Sequence, residues 1–238
     1  QVKKFSPKPE IVISLTKGIE QETLKSMIGV IEDELPAARG KLVVVSGPSH
    51  AEEVCREIPT AVVAASQSKQ AAESVQQMLV TNNFRVYTNP DVTGVELSGA
   101  LKNIFAIACG ACDGLGLGDN TKSALITRGL HEMVKLGTAM GGKEVTFYGL
   151  AGMGDMVVTC FSKHSRNRLM GEKVGQGKTM DAALKEMTMV AEGVPTSKSA
   201  FQLVQKYKCD CPIITEIYRV LYENKNVRES MHDLMTRT

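Results

Sequence analysis

The chain has 238 residues, of which 43% are hydrophobic and 23% charged, enough for one large or two modest globular domains. Its net charge of +2, with no dense Lys/Arg run, argues against nucleic acid and against an anionic membrane surface. The longest apolar run, "NIFAIACGAC", is too short to span a bilayer, and no signal peptide is visible.

From the start to about residue 90, apolar strands alternate with helices. "IVISL" (11–15) reads as a strand and 21–35 as a helix, with apolar residues at Leu24, Met27, Ile28, Ile31 and Leu35. Then come a strand at 41–47, a helix in "AEEVCREI", a strand at 60–66, a helix in "QAAESVQQMLV" and a strand at 84–89. Such alternation predicts a mostly parallel, doubly wound sheet. Beyond 90 the pattern is helical throughout, punctuated by Asn120 as a helix start, Gly141–Gly142 as a stop, Pro195 and Pro212. The expected organisation is therefore α/β over residues 1–90, followed by an all-helical domain over 91–238.

The first of these later helices poses a chemical question. Lys102 lies in "VTGVELSGALKNIFAIACGACDGLG", and its helical neighbours are Val95, Ser98, Gly99, Phe105, Ala106 and Cys109. None is acidic. The stem could snorkel to a surface, a carboxylate could arrive from elsewhere in the fold, or the amine could be desolvated enough to act as a general base near neutral pH.

Three glycine clusters imitate nucleotide loops. "GLGLGDN" and "GMGDMV" do not follow strands, and "GQGKT" has Glu172 where a P-loop needs its first glycine. Helix-to-helix turns and close backbone approaches explain them better. Cys109 and Cys112 form a CxxC inside an apolar helix, a core pattern, and Cys209 and Cys211 have no His or second Cys pair beside them to bind zinc. The six cysteines fit a reducing cytoplasm. His50, His131, His164 and His232 are scattered and read as surface or structural residues.

Several polar groups could meet a ligand. "SGPSHAEE" follows a strong strand, and Ser49 with Glu52 matches a capping box, yet a strand-to-helix junction at the carboxyl edge of a parallel sheet is also where ligands bind. Lys17 ends the strand before it in the same way. "HSRNR" sets Ser165, Arg166 and Asn167 side by side, an arrangement suited to phosphate, and Asp155 sits in a glycine-rich turn.

In order along the chain, "SLTKGIE", "VVSGPSHAEE", "ELSGALKNIFAIACGACDGLGLGDNTKSALITRGLHEM", "GLAGMGDMVVTCFSKHSRNR" and "MVAEGVPTSKSA" resemble the bacterial NAD(P)-dependent glycerol-3-phosphate dehydrogenases. The resemblance implies a cytoplasmic oxidoreductase with NAD or NADP as cofactor. It would move a hydride reversibly between NAD(P)H and dihydroxyacetone phosphate, giving sn-glycerol 3-phosphate for phospholipid synthesis. It implies a partial Rossmann-like sheet followed by a helical substrate domain, with Lys102 as the general acid/base. Lys17, Gly47, Ser49, Lys102, Asp155, Ser165, Arg166 and Asn167 would meet the substrate. Lys17, Ala51, Arg166, Val190 and Glu192 would meet the cofactor. No metal, nucleic acid or membrane insertion is implied, the partner is a small-molecule substrate, and a homodimer is left open.

The family's pattern begins with a strand, a GxGxxG turn and a helix that hold the cofactor's pyrophosphate. These residues carry no such turn, and "IVISL" corresponds to a later strand. The expectation is a chain lacking that N-terminal βαβ portion, which raises the alternative of a catalytically incomplete fragment or pseudo-enzyme. A hydroxy-acid dehydrogenase of the same architecture is the other alternative.

Overall fold

A computed structural model describes residues 9–237. Four strands, β1 (Val12–Ser14), β2 (Leu42–Ser46), β3 (Thr60–Ala65) and β4 (Phe84–Asn89), form one sheet in sequential order. Between them lie α1 (Met27–Glu34), a 3₁₀ turn at Pro36–Ala38, α2 (Ala51–Val54) and α3 (Lys69–Leu79). The rest is helical: α4 (Val92–Gly114), α5 (Asp119–Ala139), α6 (Glu144–Phe147), a π turn at Leu150–Gly154, α7 (Asp155–Phe161), α8 (Arg166–Gly175), α9 (Met180–Lys185), α10 (Gly193–Tyr207), α11 (Pro212–Tyr222) and α12 (Val227–Thr236). The Rossmann-like sheet followed by helices is the class expected.

Two of the three strand pairings are parallel, β1 with β2 and β3 with β4, but β2 and β3 run antiparallel, with Val44 opposite Ala65 and Ser46 opposite Val63. The reason is the connection. A parallel return needs a crossover helix long enough to carry the chain back along the sheet. The helix expected over 51–58 is only the single turn Ala51–Val54, which advances about 6 Å. The chain therefore doubles back. β1 and β2 end at one edge of the sheet, and Gly47 turns the chain there with φ +152°, a conformation that favours glycine.

Other local expectations shift for equally physical reasons. The Ser49–Glu52 capping box does not form: His50 occupies the cap position of α2, and the Ser49 hydroxyl donates to the Gly47 carbonyl at 3.1 Å. The helix expected from 21 starts only at Met27. The Glu20 carboxylate accepts from the Glu22 amide (3.1 Å) and from the Thr23 hydroxyl (2.6 Å) and holds the intervening segment as a turn. Asn120 lies inside α5, whose cap is Gly118.

At the junction of sheet and helices, Asp91 caps α4 by accepting from Gly94 N at 2.9 Å and from Lys143 N at 2.8 Å. Every residue of α4 from Leu97 to Cys112 is buried. A helix apolar on all sides is a central helix. α4 is long and apolar enough to cross a bilayer, but 94% of its most apolar window is buried within the protein. α5, α7, α8, α10 and α11 surround it.

The closest of these contacts is a glycine seam. Gly110 and Gly114 on α4 face Gly171 and Gly175 on α8, each pair one helical turn apart. A Cβ on Gly110 would run into the Arg168 carbonyl, one on Gly114 into that of Glu172, one on Gly171 into that of Ile107, and one on Gly175 into that of Ala111. Of the glycines that imitate nucleotide loops, Gly114 and Gly175 are close approaches, whereas Gly116 (φ +74°) and Gly177 (φ +97°) are turns.

Glu132 on α5 is fully buried, and its carboxylate accepts from Ile213 N at 2.8 Å and Ile214 N at 3.1 Å, capping α11 from another helix. Burial pushes its carboxyl up to about 7, against the pull of the two amides. The folded state thus keeps this proton longer than the unfolded chain, so the group's contribution to stability falls as pH rises from about 4.5 to 7. Glu132→Ala leaves both amides unpartnered and is expected to cost about 1–3 kcal/mol in urea denaturation. An unchanged midpoint would show that α11 needs no such cap.

Candidate active site

The site is assembled where the edge of the sheet formed by the ends of β1 and β2 meets α4. A tight π turn precedes α7, and only glycine fits at 152, because a Cβ there would overlap the Phe147 backbone. The turn delivers Asp155 to the face of α4 that carries Lys102. Asp155 is 2% exposed and Lys102 6%. One carboxylate then joins two ammonium groups, Oδ1 accepting from Lys102 Nζ at 2.5 Å and Oδ2 from Lys17 Nζ at 2.5 Å. Lys102 also donates to Thr159 Oγ1 at 2.6 Å, and that hydroxyl donates to the Asp155 carbonyl at 2.5 Å.

Lys102 is thus both desolvated and paired with a carboxylate from elsewhere in the fold. Burial and the nearby charge of Lys17 lower its ammonium to about 8, against the opposing pull of Asp155. With one carboxylate between two lysines, the pair is not neutralised charge for charge.

The remaining residues implied by the resemblance lie at varied distances from this centre. Gly47 is buried at the end of β2, while Ser49 and Ala51 are exposed just beyond it. Ser165 is buried and caps α8 by accepting from Arg168 N at 3.1 Å. Arg166 is exposed at the first position of that helix. Asn167 is buried and committed on both sides: Nδ2 donates to Asn103 Oδ1 at 2.9 Å, and Oδ1 accepts from Gly193 N at 2.7 Å. That amide fixes the start of α8 beside the residue following Lys102, and it ties in the start of α10. Val190 and Glu192 are exposed on the segment leading into α10.

Four neighbours were not singled out by the sequence. Thr159 follows Asp155 by one helical turn, a spacing readable in "DMVVT", and Asn103 adjoins Lys102. His50 and His164 face each other with ring centroids 6.2 Å apart, bringing the β2 loop against the approach to α8. Nothing in their spacing of 114 positions announces that meeting. Among the described residues, no group of three or more His, Cys, Asp or Glu side chains is placed to hold a metal.

The profile described as NAD-dependent glycerol-3-phosphate dehydrogenase N-terminus matches residues 1–72, and the corresponding C-terminus profile matches 91–232. A glycerol-3-phosphate dehydrogenase [NAD(P)+] of Fusobacterium nucleatum is 51% identical over 228 residues, covering 96% of this chain and 68% of that protein. Its counterpart from Thermoanaerobacter is 54% identical over 237 residues, covering 100% and 71%. The crystal structure of glycerol-3-phosphate dehydrogenase from Coxiella burnetii superposes with a TM-score of 0.90 at 39% identity, covering 95% of this chain and 69% of that one. With both halves of one family's pattern in order, and half of the residues shared across nearly its whole length, this chain belongs to the NAD-dependent glycerol-3-phosphate dehydrogenases.

Proposed function

We propose that the protein interconverts dihydroxyacetone phosphate and sn-glycerol 3-phosphate, with Lys102 as the acid/base. The observation that carries this reading is a buried lysine held on one carboxylate that a second lysine shares. Such an amine can exist in either protonation state near neutral pH, as a reversible proton transfer demands. In reduction, its ammonium donates a proton to the C2 carbonyl oxygen. In oxidation, the neutral amine removes the proton of the C2 hydroxyl. Asp155 orients it and Thr159 fixes the second hydrogen bond. Arg166 and the amides at the start of α8 receive the phosphate, beside Ser165 and Asn167, while Gly47 and Ser49 close the opposite side.

The nicotinamide end of a dinucleotide fits the edge formed by the ends of β1 and β2. The Ser46 hydroxyl is buried there without a partner among the described residues, and it packs so closely on Gly99 that a Cβ at that position would lie 2.8 Å from it. Lys17, Ala51, Arg166, Val190 and Glu192 would hold that cofactor. When bound, it supplies or accepts the hydride. In this reading residues 1–90 serve the dinucleotide and residues 91–238 the substrate. The cytoplasm is the proposed location, supported by six free cysteines, of which four are buried thiols.

The test is consumption of NADH or NADPH by the full-length protein. Dihydroxyacetone phosphate should be reduced and 2-oxo acids of similar size should not, whereas the reverse preference would favour a hydroxy-acid dehydrogenase. The lysine adds a signature. Because Lys102 titrates at about 8, kcat/KM for reduction should fall as pH rises through that value, and for oxidation it should rise. Profiles of the same sign in both directions would remove Lys102 from the proton transfer.

A further inference from the structure

The two histidines of the cleft are unused by the chemistry above. His50 sits between β2 and α2, half-buried, and its Nε2 is sealed from solvent with no hydrogen-bond partner among the described residues. The ring of His164 lies opposite, tilted by 56° at 6.2 Å between centroids. Aromatic packing accounts for two rings at that distance. It does not account for a buried ring nitrogen left without a partner, which costs free energy unless something bound supplies one. The same two loops bring Arg166 close enough to Glu52, two residues after His50, for their charges to interact.

We propose that His50 and His164 form two walls of the substrate's phosphate pocket, His50 taking up a proton as the dianion enters and His164 donating a hydrogen bond to it. This rests on the reading that Arg166 and the start of α8 receive the phosphate. His164 lies two residues before Arg166, and His50 lies one residue after Ser49, so both rings flank groups already assigned to the substrate.

The charges facing His50 support the uptake. Lys102 on α4, Asp155 on α7, Glu52 and Glu53 on α2, and His164 ahead of α8 surround it. Burial and Lys102 hold its ring below the usual imidazole range, against Asp155, Glu52 and Glu53, so it is neutral at pH 7 in the free protein. Asp155 is already shared by two lysines, and Glu52 is held in its charged form by a backbone hydrogen bond, with Arg166 nearby. A dianion adds negative charge that none of these groups has answered, and it shifts His50 towards the imidazolium. Because His50 would titrate higher in the complex than in the free protein, affinity for the dianion declines as pH rises through the value in the complex. A phosphate dianion gains more from this device than a monoanionic carboxylate, so the pair also serves selectivity.

The experiment is calorimetry of glycerol 3-phosphate binding to the full-length protein at pH 7, in buffers of different ionisation enthalpy. Wild type should take up a fraction of a proton more than His50→Gln, while His164→Gln should keep the uptake. Both variants should raise KM for dihydroxyacetone phosphate roughly tenfold, with the loss falling on KM rather than kcat. Equal uptake in wild type and His50→Gln, or an unchanged KM in both variants, would overturn the proposal. A second measurement needs no turnover: inorganic phosphate titrated into the protein should shift the ring resonances of His50 and His164. If they shift while dihydroxyacetone phosphate is not reduced, the pocket stands and the dehydrogenase reading falls. If reduction proceeds and neither ring responds, the pocket alone falls.

Discussion

Lys102→Ala is expected to lower kcat by roughly 10²-fold or more, with KM changing far less. In the proposed mechanism the loss falls on kcat, because the ammonium would meet the reacting oxygen most strongly while charge develops on it and the phosphate end of the substrate would be bound elsewhere. The variant should still fold. Removing Lys102 leaves Asp155 paired with Lys17 at 2.5 Å, so the buried carboxylate keeps a counter-charge. Lys102→Met, which restores the stem but not the amine, should be as slow as alanine, separating lost chemistry from lost packing. A variant retaining a tenth of wild-type kcat would exclude Lys102 as the acid/base.

Gly171→Leu should be the most destabilising of the substitutions considered. Its Cβ alone collides with the Ile107 carbonyl, and a backbone atom in the middle of α4 cannot move aside as a side-chain tip can. Overpacking of this kind costs about 3 kcal/mol or more. In a chain of this size that corresponds to a fall in Tm of roughly 6–12 °C. Gly29→Ala provides a control of opposite sign. It lies within α1, where a Cβ would make an ordinary contact at 3.4 Å with Lys25 Cβ, so alanine's better helix propensity should add up to about 1 kcal/mol. Thermal denaturation of both decides the matter. A Gly171→Leu protein melting with wild type would mean that α4 and α8 do not touch.

Much of this architecture is legible from local pattern, and the parts that are not share one cause. The strands at 60–66 and 84–89 and the long helices after 90 follow from apolar spacing, because burial on one face or on all faces leaves a periodic trace. The direction of β3 does not, since it depends on α2 stopping after one turn. The capping box of Ser49 and Glu52 fits its motif, yet the Ser49 hydroxyl bonds instead to the carbonyl of Gly47. Lys102 is conspicuous as a charge in an apolar helix, but its carboxylate lies 53 positions away and arrives through a π turn that no spacing rule anticipates. The motifs resembling the family supply Asp155 and Lys17 as residues. Their convergence on one another is a property of the fold.

The glycine seam and the burial of α4 on every side also set an order of events when the protein opens. Amide hydrogens in such a helix exchange with solvent only when the surrounding helices separate, so α4 belongs to the slowest-exchanging unit of the chain. Lys102 is anchored in that unit. Ser49, His50, Val190 and Glu192 lie on connecting segments, which draw on the low end of the same stability scale. In rising urea the two should part company, with dehydrogenase activity lost while deuterium is still excluded from residues 97–112, because the site comes undone from its rim inwards.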